Sequence, residues 1–241
     1  MKQLSLKYNV KIDEHNSYYY FLKSGELERF NISFYSLGNL RNIGEKVDVL
    51  AAFFDLERFT YFCSQTDPQI PVPGFLSRFL KWLLNSLIRE STKKEVINGL
   101  RLNTKLPFFA KFTGDGVLIL WKIERENKVI ITNIVDIIKT ILEKYALEFL
   151  PKLCNIFERV PPRLRCGVAS GQVVSFGNDY VGPCINIASR LQKLEKYSFA
   201  IHKKGIYLTM EDRGKYKLIN KPIEGIDDNL LIYVLKKEAN K

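Results

Sequence analysis

Pro107-Phe108-Phe109-Ala110-Lys111-Phe112-Thr113-Gly114-Asp115-Gly116-Val117-Leu118-Ile119-Leu120-Trp121 consists of two apolar runs either side of Gly-Asp-Gly. Such runs around a glycine-flanked Asp read as a β-hairpin with Asp115 at its tip. Upstream, Val49-Leu50-Ala51-Ala52-Phe53-Phe54-Asp55 is an apolar strand that stops on a carboxylate, and the chain then turns through Leu56-Glu57-Arg58-Phe59-Thr60. A carboxylate at a strand end can face a cleft while its backbone stays rigid. Two of them brought together repel each other, and a divalent cation relieves the repulsion. Asp55 and Asp115 are therefore a candidate Mg²⁺ or Mn²⁺ site. Each alone also has a plainer reading, Asp55 as a helix cap and Gly-Asp-Gly as a turn.

The chain has 241 residues and is 46% hydrophobic, which suits one catalytic domain with a sizeable core plus an extension. No apolar run reaches the length of a membrane span, and the N-terminus lacks the hydrophobic block of a secretory signal. The expectation is a soluble cytoplasmic protein that binds no membrane. Cys63, Cys154, Cys166 and Cys184 show no CxxC spacing and no neighbouring His, so they read as reduced thiols and not as disulfides or a metal site. The net charge of +11 invites nucleic acid, but the basic residues are spread out and no helix carries a dense basic stripe. A polyanionic small substrate accounts for the excess equally well, and no nucleic-acid partner is expected.

Along the chain, residues 1–46 are mixed, with a strand at Asn16–Leu22, a turn at Lys23–Glu26 and a short element at Ser33–Tyr35. Their aromatic density suits packing on the core or on a partner subunit. Val47–Asp55 is the first core strand. A Pro-rich turn at Pro68, Pro71 and Pro73 precedes an amphipathic helix over Phe75–Ile88, and charged residues 89–105 read as a loop. After the hairpin, Asn127–Phe149 is a helix with Ile130, Ile134, Ile137, Ile138, Ile141 and Leu142 on one face. Arg163–Val168 and Gln172–Phe176 read as two strands joined at Ala169-Ser170-Gly171. Ile185–Lys196 is a helix, and Phe199–Ile201 and Leu230–Leu235 are late strands. This alternation predicts an α+β fold, a mixed, mostly antiparallel sheet flanked by helices, in a domain spanning 47–241.

Three stretches resemble the catalytic domain of class III nucleotide cyclases. Residues 53–60, FFDLERFT, are similar to their FxDIxGFT segment. Residues 111–121, KFTGDGVLILW, are similar to their KxxGDGxxxxF hairpin. RLRCGVASGQVVSFG followed by DYVGPCINIASRLQ resembles their RxGIxxGxVxxG and DxxGxxVNxASRL pair, with order and spacing in agreement over roughly residues 47–235. The resemblance implies a ferredoxin-like catalytic fold, with two Mn²⁺ or Mg²⁺ ions per site held by Asp55, Leu56 and Asp115. One ion would lower the pKa of a ribose 3′-hydroxyl, and the other would bind the triphosphate and stabilise departing pyrophosphate. The backbone NH groups of Leu56 to Thr60, including Arg58, Phe59 and Thr60, would receive phosphate oxygens. Asn186 would hold the ribose, and Arg190, four residues on and on the same helix face, would neutralise charge on the α-phosphate. The family shares its sites across a dimer, so a head-to-tail homodimer is implied.

Lys111 and Asp179 fall where adenylate cyclases read adenine, and this favours ATP. A donor beside an acceptor also suits cytosine or uracil, so the base stays open. Two positions depart from the family pattern. Its usual Gly is Arg58 here, and its Lys-Gly near the C-terminus is matched only by Glu224-Gly225, with Lys221 and Lys217 upstream. The short, bare layout looks like the stand-alone pyrimidine cyclases of bacterial antiphage systems known as Pycsar. On that likeness the expected product is cyclic UMP or cyclic CMP, read by a separate effector protein. Adenylate cyclase is the alternative, and an inactive nucleotide-binding module is another.

Overall fold

The computed structural model of the protein describes residues 9–12, 18–21, 44–64, 71–97, 100–103, 105–124, 128–208 and 214–239. Ser33–Tyr35, the Lys23–Glu26 turn and Pro68 lie outside them. The chain divides into two compact units. One gathers residues up to Lys46 with Val174–Val181, and the other comprises Val47–Val173 and Gly182–Lys241.

In the first unit, β1 (Asn9–Ile12) pairs antiparallel with β2 (Tyr18–Phe21). In chain order there follow β3 (Lys46–Leu56), α1 (Phe59–Cys63), α2 (Pro71–Ser91), β4 (Thr92–Ile97), β5 (Leu100–Asn103), β6 (Phe109–Phe112) and β7 (Gly116–Lys122). Then come α3 (Lys128–Lys144), a π-helical turn (Tyr145–Phe149), α4 (Leu150–Cys154), β8 (Leu164–Phe176) and β9 (Asp179–Val181). The last elements are α5 (Pro183–Leu191), β10 (Phe199–His202), β11 (Tyr216–Ile223), β12 (Asp227–Leu235) and α6 (Lys236–Ala239).

The main sheet has the order β11-β12-β10-β8-β3-β7-β6. β8 and β10 run parallel, whereas β3–β7, β6–β7, β10–β12 and β11–β12 are antiparallel. Strand alternation sorts its two faces. Leu50, Ala52, Phe54 and Leu56 of β3 and Leu164, Cys166 and Val168 of β8 join the main core with α2 and α3. Asp55, Arg165 and Gly167 therefore lie on the other face, and α5 packs there. Leu191 of α5 joins Leu230, Ile232 and Val234 of β12 in a separate cluster on that side.

A helix as short as α1 cannot hold itself in water. Its Phe59 and Phe62 are buried, and Phe62 packs against Phe75 of α2 with ring centres 4.9 Å apart and planes tilted by 55°. Phe75 in turn packs on Phe79 and Phe149. This aromatic cluster fixes the turn that leaves Asp55.

Several sequence expectations are corrected. Pro71 and Pro73 open α2 instead of forming a turn before it, because the first helical turn has no use for their missing N–H. Residues 89–105 are not a loop: α2 runs on to Ser91, and β4 and β5 form a hairpin. The Asn98-Gly99 dipeptide in that stretch is a two-residue hairpin signal masked by the surrounding charges. β8 is one strand of 13 residues, not two joined at Ala169-Ser170-Gly171. Gly171 serves close packing there, since a Cβ would sit 3.0 Å from Cys184 Cβ on α5. The helix expected to reach Lys196 ends at Leu191. β9 and β11 were not anticipated, and Lys221 lies on β11. Among the described residues, no helix is long and apolar enough to cross a membrane.

Candidate active site

Asp55 faces Gly116 in the β3–β7 register, which sets it beside the hairpin tip. The tip closes through Thr113 N–H donating to Gly116 O at 2.9 Å, and Leu56 N–H donates to Asp115 O at 3.2 Å. Asp115 is exposed, whereas Asp55 is only 6% exposed. Burial pushes the Asp55 carboxyl above the usual carboxylate range, and the negative charge of Asp115 adds to that rise. Arg165 and Lys193 oppose it. The Asp115 charge thus reaches the Asp55 carboxyl.

Arg165 was not anticipated as a site residue. It lies on β8, and its Nη2 and Nε donate to Asp55 Oδ2 at 2.6 and 3.2 Å. This nearly buried ion pair supplies the positive charge that lets a buried carboxylate ionise. Arg165 is the leading Arg of the RxGI-like motif quoted above, but the sequence does not reveal its pairing with Asp55, because that partner is 110 residues away. Lys193 was also missed. It follows α5 directly, with its N–H on Arg190 O at 3.1 Å. Arg163 straps this segment to the end of β3. Its Nε donates to Glu57 Oε2 at 2.6 Å and its Nη2 to Glu195 O at 2.7 Å.

Asn186 and Arg190 are both exposed on α5, four residues apart. Gly167 lets α5 lie against β8, and a Cβ there would stand 2.1 Å from Ala188 O. The turn expected to receive phosphate offers fewer free amides than the sequence suggested. The amides of Leu56 and Glu57 are already bonded, the latter to Arg163 O at 3.0 Å, which leaves Arg58, Phe59 and Thr60. The Phe59 ring is in the core, so only its backbone could meet a substrate, while Thr60 is exposed. Arg58 has φ 58° and ψ 28°, the left-handed conformation that the family's glycine adopts without strain. Its side chain lines a cavity of about 360 Å³ with Tyr61, Cys154, Glu158 and Arg159. Lys111 is exposed on β6, and Lys221 is exposed on β11. Asp179 lies on β9 in the first unit, where its Oδ1 accepts from Tyr180 N–H at 2.8 Å.

Two mutually repelling oxygen donors, one with a raised pKa, fit a hard divalent cation. Among the described residues no cluster of three or more His, Cys, Asp or Glu side chains could hold a metal. Bound ions would complete their shells with water and ligand phosphates, as Mg²⁺ commonly does. The pH dependence follows from Asp55. Between its ordinary value of 3.8 and its raised value, the folded chain binds more protons than the unfolded one. Metal-free stability therefore falls as pH rises through that window. A cation must displace the same proton, so Mn²⁺ affinity should weaken by up to about tenfold per pH unit below the Asp55 pKa. Electron paramagnetic resonance titration of free Mn²⁺ would test this. A constant affinity down to the ordinary carboxylate pKa would refute it.

The sheet order, the Asp-tipped hairpin beside β3 and the helix packed behind β8 define the fold of class III nucleotide cyclase catalytic domains. The solved adenylyl cyclase CyaB from P. aeruginosa is similar at TM-score 0.58 and 14% identity, over 80% of this chain and 95% of that one. The solved guanylyl cyclase Cya2 is similar at TM-score 0.54 and 14% identity, over 80% and 94%. No protein-family model and no curated protein matches the chain.

Proposed function

We propose that the chain is a nucleotide cyclase that converts a pyrimidine nucleoside triphosphate, UTP first and CTP second, into its 3′,5′-cyclic nucleotide and pyrophosphate. The supporting observation is Asp55 on the sheet face that α5 covers, paired there with Arg165 and near enough to Asp115 at the hairpin tip to feel its charge. In the reaction the ribose 3′-oxygen forms a bond to the α-phosphorus, the α–β phosphoanhydride bond breaks, and the hydroxyl proton leaves to solvent. Mn²⁺ or Mg²⁺, when bound, supplies acidification of that hydroxyl and charge neutralisation of the phosphates. Asp55 and Asp115 would hold the ions. Arg165 beside Asp55 would offer its remaining N–H groups to phosphate oxygens, and Lys193 would add positive charge near it. Arg190 would meet the charge that develops on the α-phosphate, and Asn186 would orient the ribose.

The pyrimidine preference and a role in antiphage defence, with a separate effector reading the cyclic nucleotide in the cytosol, rest on the Pycsar resemblance. Cyclic AMP is the second reading. It is favoured by Lys111 and Asp179 at adenine-reading positions and by the similarity to an adenylyl cyclase structure. Incubation with Mn²⁺ and ATP, GTP, CTP or UTP separately, with products identified by mass, decides between them. Cyclic AMP alone would refute the pyrimidine reading, and no product from any triphosphate would refute the cyclase reading.

Asn186 and Arg190 are solvent-facing, as residues offered to a partner's site would be. We therefore expect a homodimer in which one chain supplies the carboxylates and the other supplies Asn186 and Arg190. Mixing Asp115→Ala with Arg190→Ala chains should restore about a quarter of wild-type turnover, because half the dimers are mixed and each owns one whole site of two. Mixtures as inactive as their parents would exclude a shared site.

A further inference from the structure

A cavity of about 430 Å³ lies past the end of β10, between the 203–208 turn and β12, and contains none of the residues assigned above. That volume is in the range of small-molecule sites. His202, Lys203, Lys204, Tyr207, Asp227 and Tyr233 line it. His202 is only 8% exposed, and its Nδ1 is buried without a hydrogen-bond partner among the described residues. Buried polar side-chain atoms nearly always have a partner, so this nitrogen awaits one.

The walls are held in place before any ligand arrives. Lys203 N–H donates to Leu231 O at 2.9 Å, and Ile206 N–H closes the turn onto Lys203 O at 3.3 Å. Gly205 has φ 72°, and a Cβ there would stand 2.3 Å from Ser170 Oγ, so only glycine fits the turn. On the far side, Thr132 Oγ1 donates to Tyr207 O at 2.8 Å, and the Lys128 ammonium sits 4.6 Å over the Tyr207 ring. The lining itself thus carries two lysines, Lys203 and Lys204, against one carboxylate, that of Asp227, with Lys128 beside its Tyr207. The balance favours an anion. Two tyrosines and the flanking aliphatic residues offer a surface for a flat ring.

We propose that this cavity is a second ligand site, for a nucleoside monophosphate in open or cyclic form. Lys203 and Lys204 would hold the phosphate, the base would lie against the tyrosine-lined wall, and the His202 ring, turned so that its covered Nδ1 meets the cavity, would bond a ligand oxygen. The proposal does not depend on turnover, because the site shares no residue with the Asp55–Asp115 centre.

The test is calorimetric titration of the full chain in EDTA with AMP, CMP, GMP, UMP, their cyclic forms and inorganic phosphate. At least one nucleotide should bind with one site per chain, and inorganic phosphate at least tenfold more weakly. Binding should persist in Asp115→Ala and weaken at least tenfold in Lys203→Ala/Lys204→Ala, two solvent-exposed positions whose change should leave the thermal midpoint in place. The chain has two histidines, so imidazole ¹⁵N spectra of the unmutated protein report on His202 directly, and its Nδ1 resonance should move on saturation. Absence of binding, loss of binding in Asp115→Ala, phosphate binding as tightly as nucleotides, an unaffected double variant or an unmoved His202 resonance would each overturn the proposal.

Discussion

Asp115→Ala should lower turnover by about 10³-fold or more while leaving the fold intact. A bound cation supplies several kcal/mol of charge stabilisation to phosphoryl chemistry, and every 1.36 kcal/mol is tenfold in rate. Asp115 is the exposed member of the carboxylate pair, at a hairpin tip closed by backbone hydrogen bonds, so its side chain contributes little to stability. A surface truncation of this kind shifts unfolding free energy by about 0.5 kcal/mol or less. Asp55→Ala is the less clean experiment. It strands Arg165, which is 14% exposed, without the carboxylate that neutralises it, and an uncompensated buried charge costs about 3–5 kcal/mol. The two variants should therefore separate. Both are inactive, but only the Asp55 variant unfolds early in denaturant. Turnover within tenfold of wild type in Asp115→Ala would remove this carboxylate from the reaction.

The largest structural effect is expected for Gly167→Ala. The new Cβ would stand 2.1 Å from Ala188 O, 2.7 Å from Gln192 N and 2.8 Å from Leu191 Cβ. The nearest two are backbone atoms of α5 and its C-cap, which cannot swing aside as a side-chain tip can. Helix α5 must lift off β8, at a cost of about 3 kcal/mol or more. Arg190 and Lys193 move with it, so the fraction that remains folded should also lose activity. Gly214→Ala is the control, since among the described residues no atom lies within 4 Å of its added Cβ. Urea unfolding measures both, and a Gly167→Ala protein within 1 kcal/mol of wild type would contradict the packing of α5 on β8.

The positions most legible in the sequence were those whose signal is local. The hairpin around Asp115 announced itself through glycines at the turn and aromatic and branched residues in the strands. The seam of α3 was visible as isoleucines at helical spacing, and Ile134, Ile138 and Ile141 are indeed fully buried, whereas Ile130 is only half-buried and its fully buried neighbour Ile131 was overlooked. Reading failed where two local signals competed. Pro71 and Pro73 are turn formers and also helix openers, and only the burial of Phe75 on the inner face of α2 decides for the helix. Gly171 looked like a turn, but its missing side chain makes room for Cys184.

By itself, then, the order of residues determined where strands end in carboxylates, which helix pairs Asn186 with Arg190, and the α+β class, because each depends on periodicity and on neighbours close along the chain. Only the tertiary structure decided that Arg165 holds Asp55, that Arg163 straps Glu57 to Glu195, and that the Phe59 ring is buried in the core. Those contacts join residues 32 to 110 positions apart, or depend on which face of an element meets the core. Electrostatic attraction and packing across such separations leave no trace in local pattern.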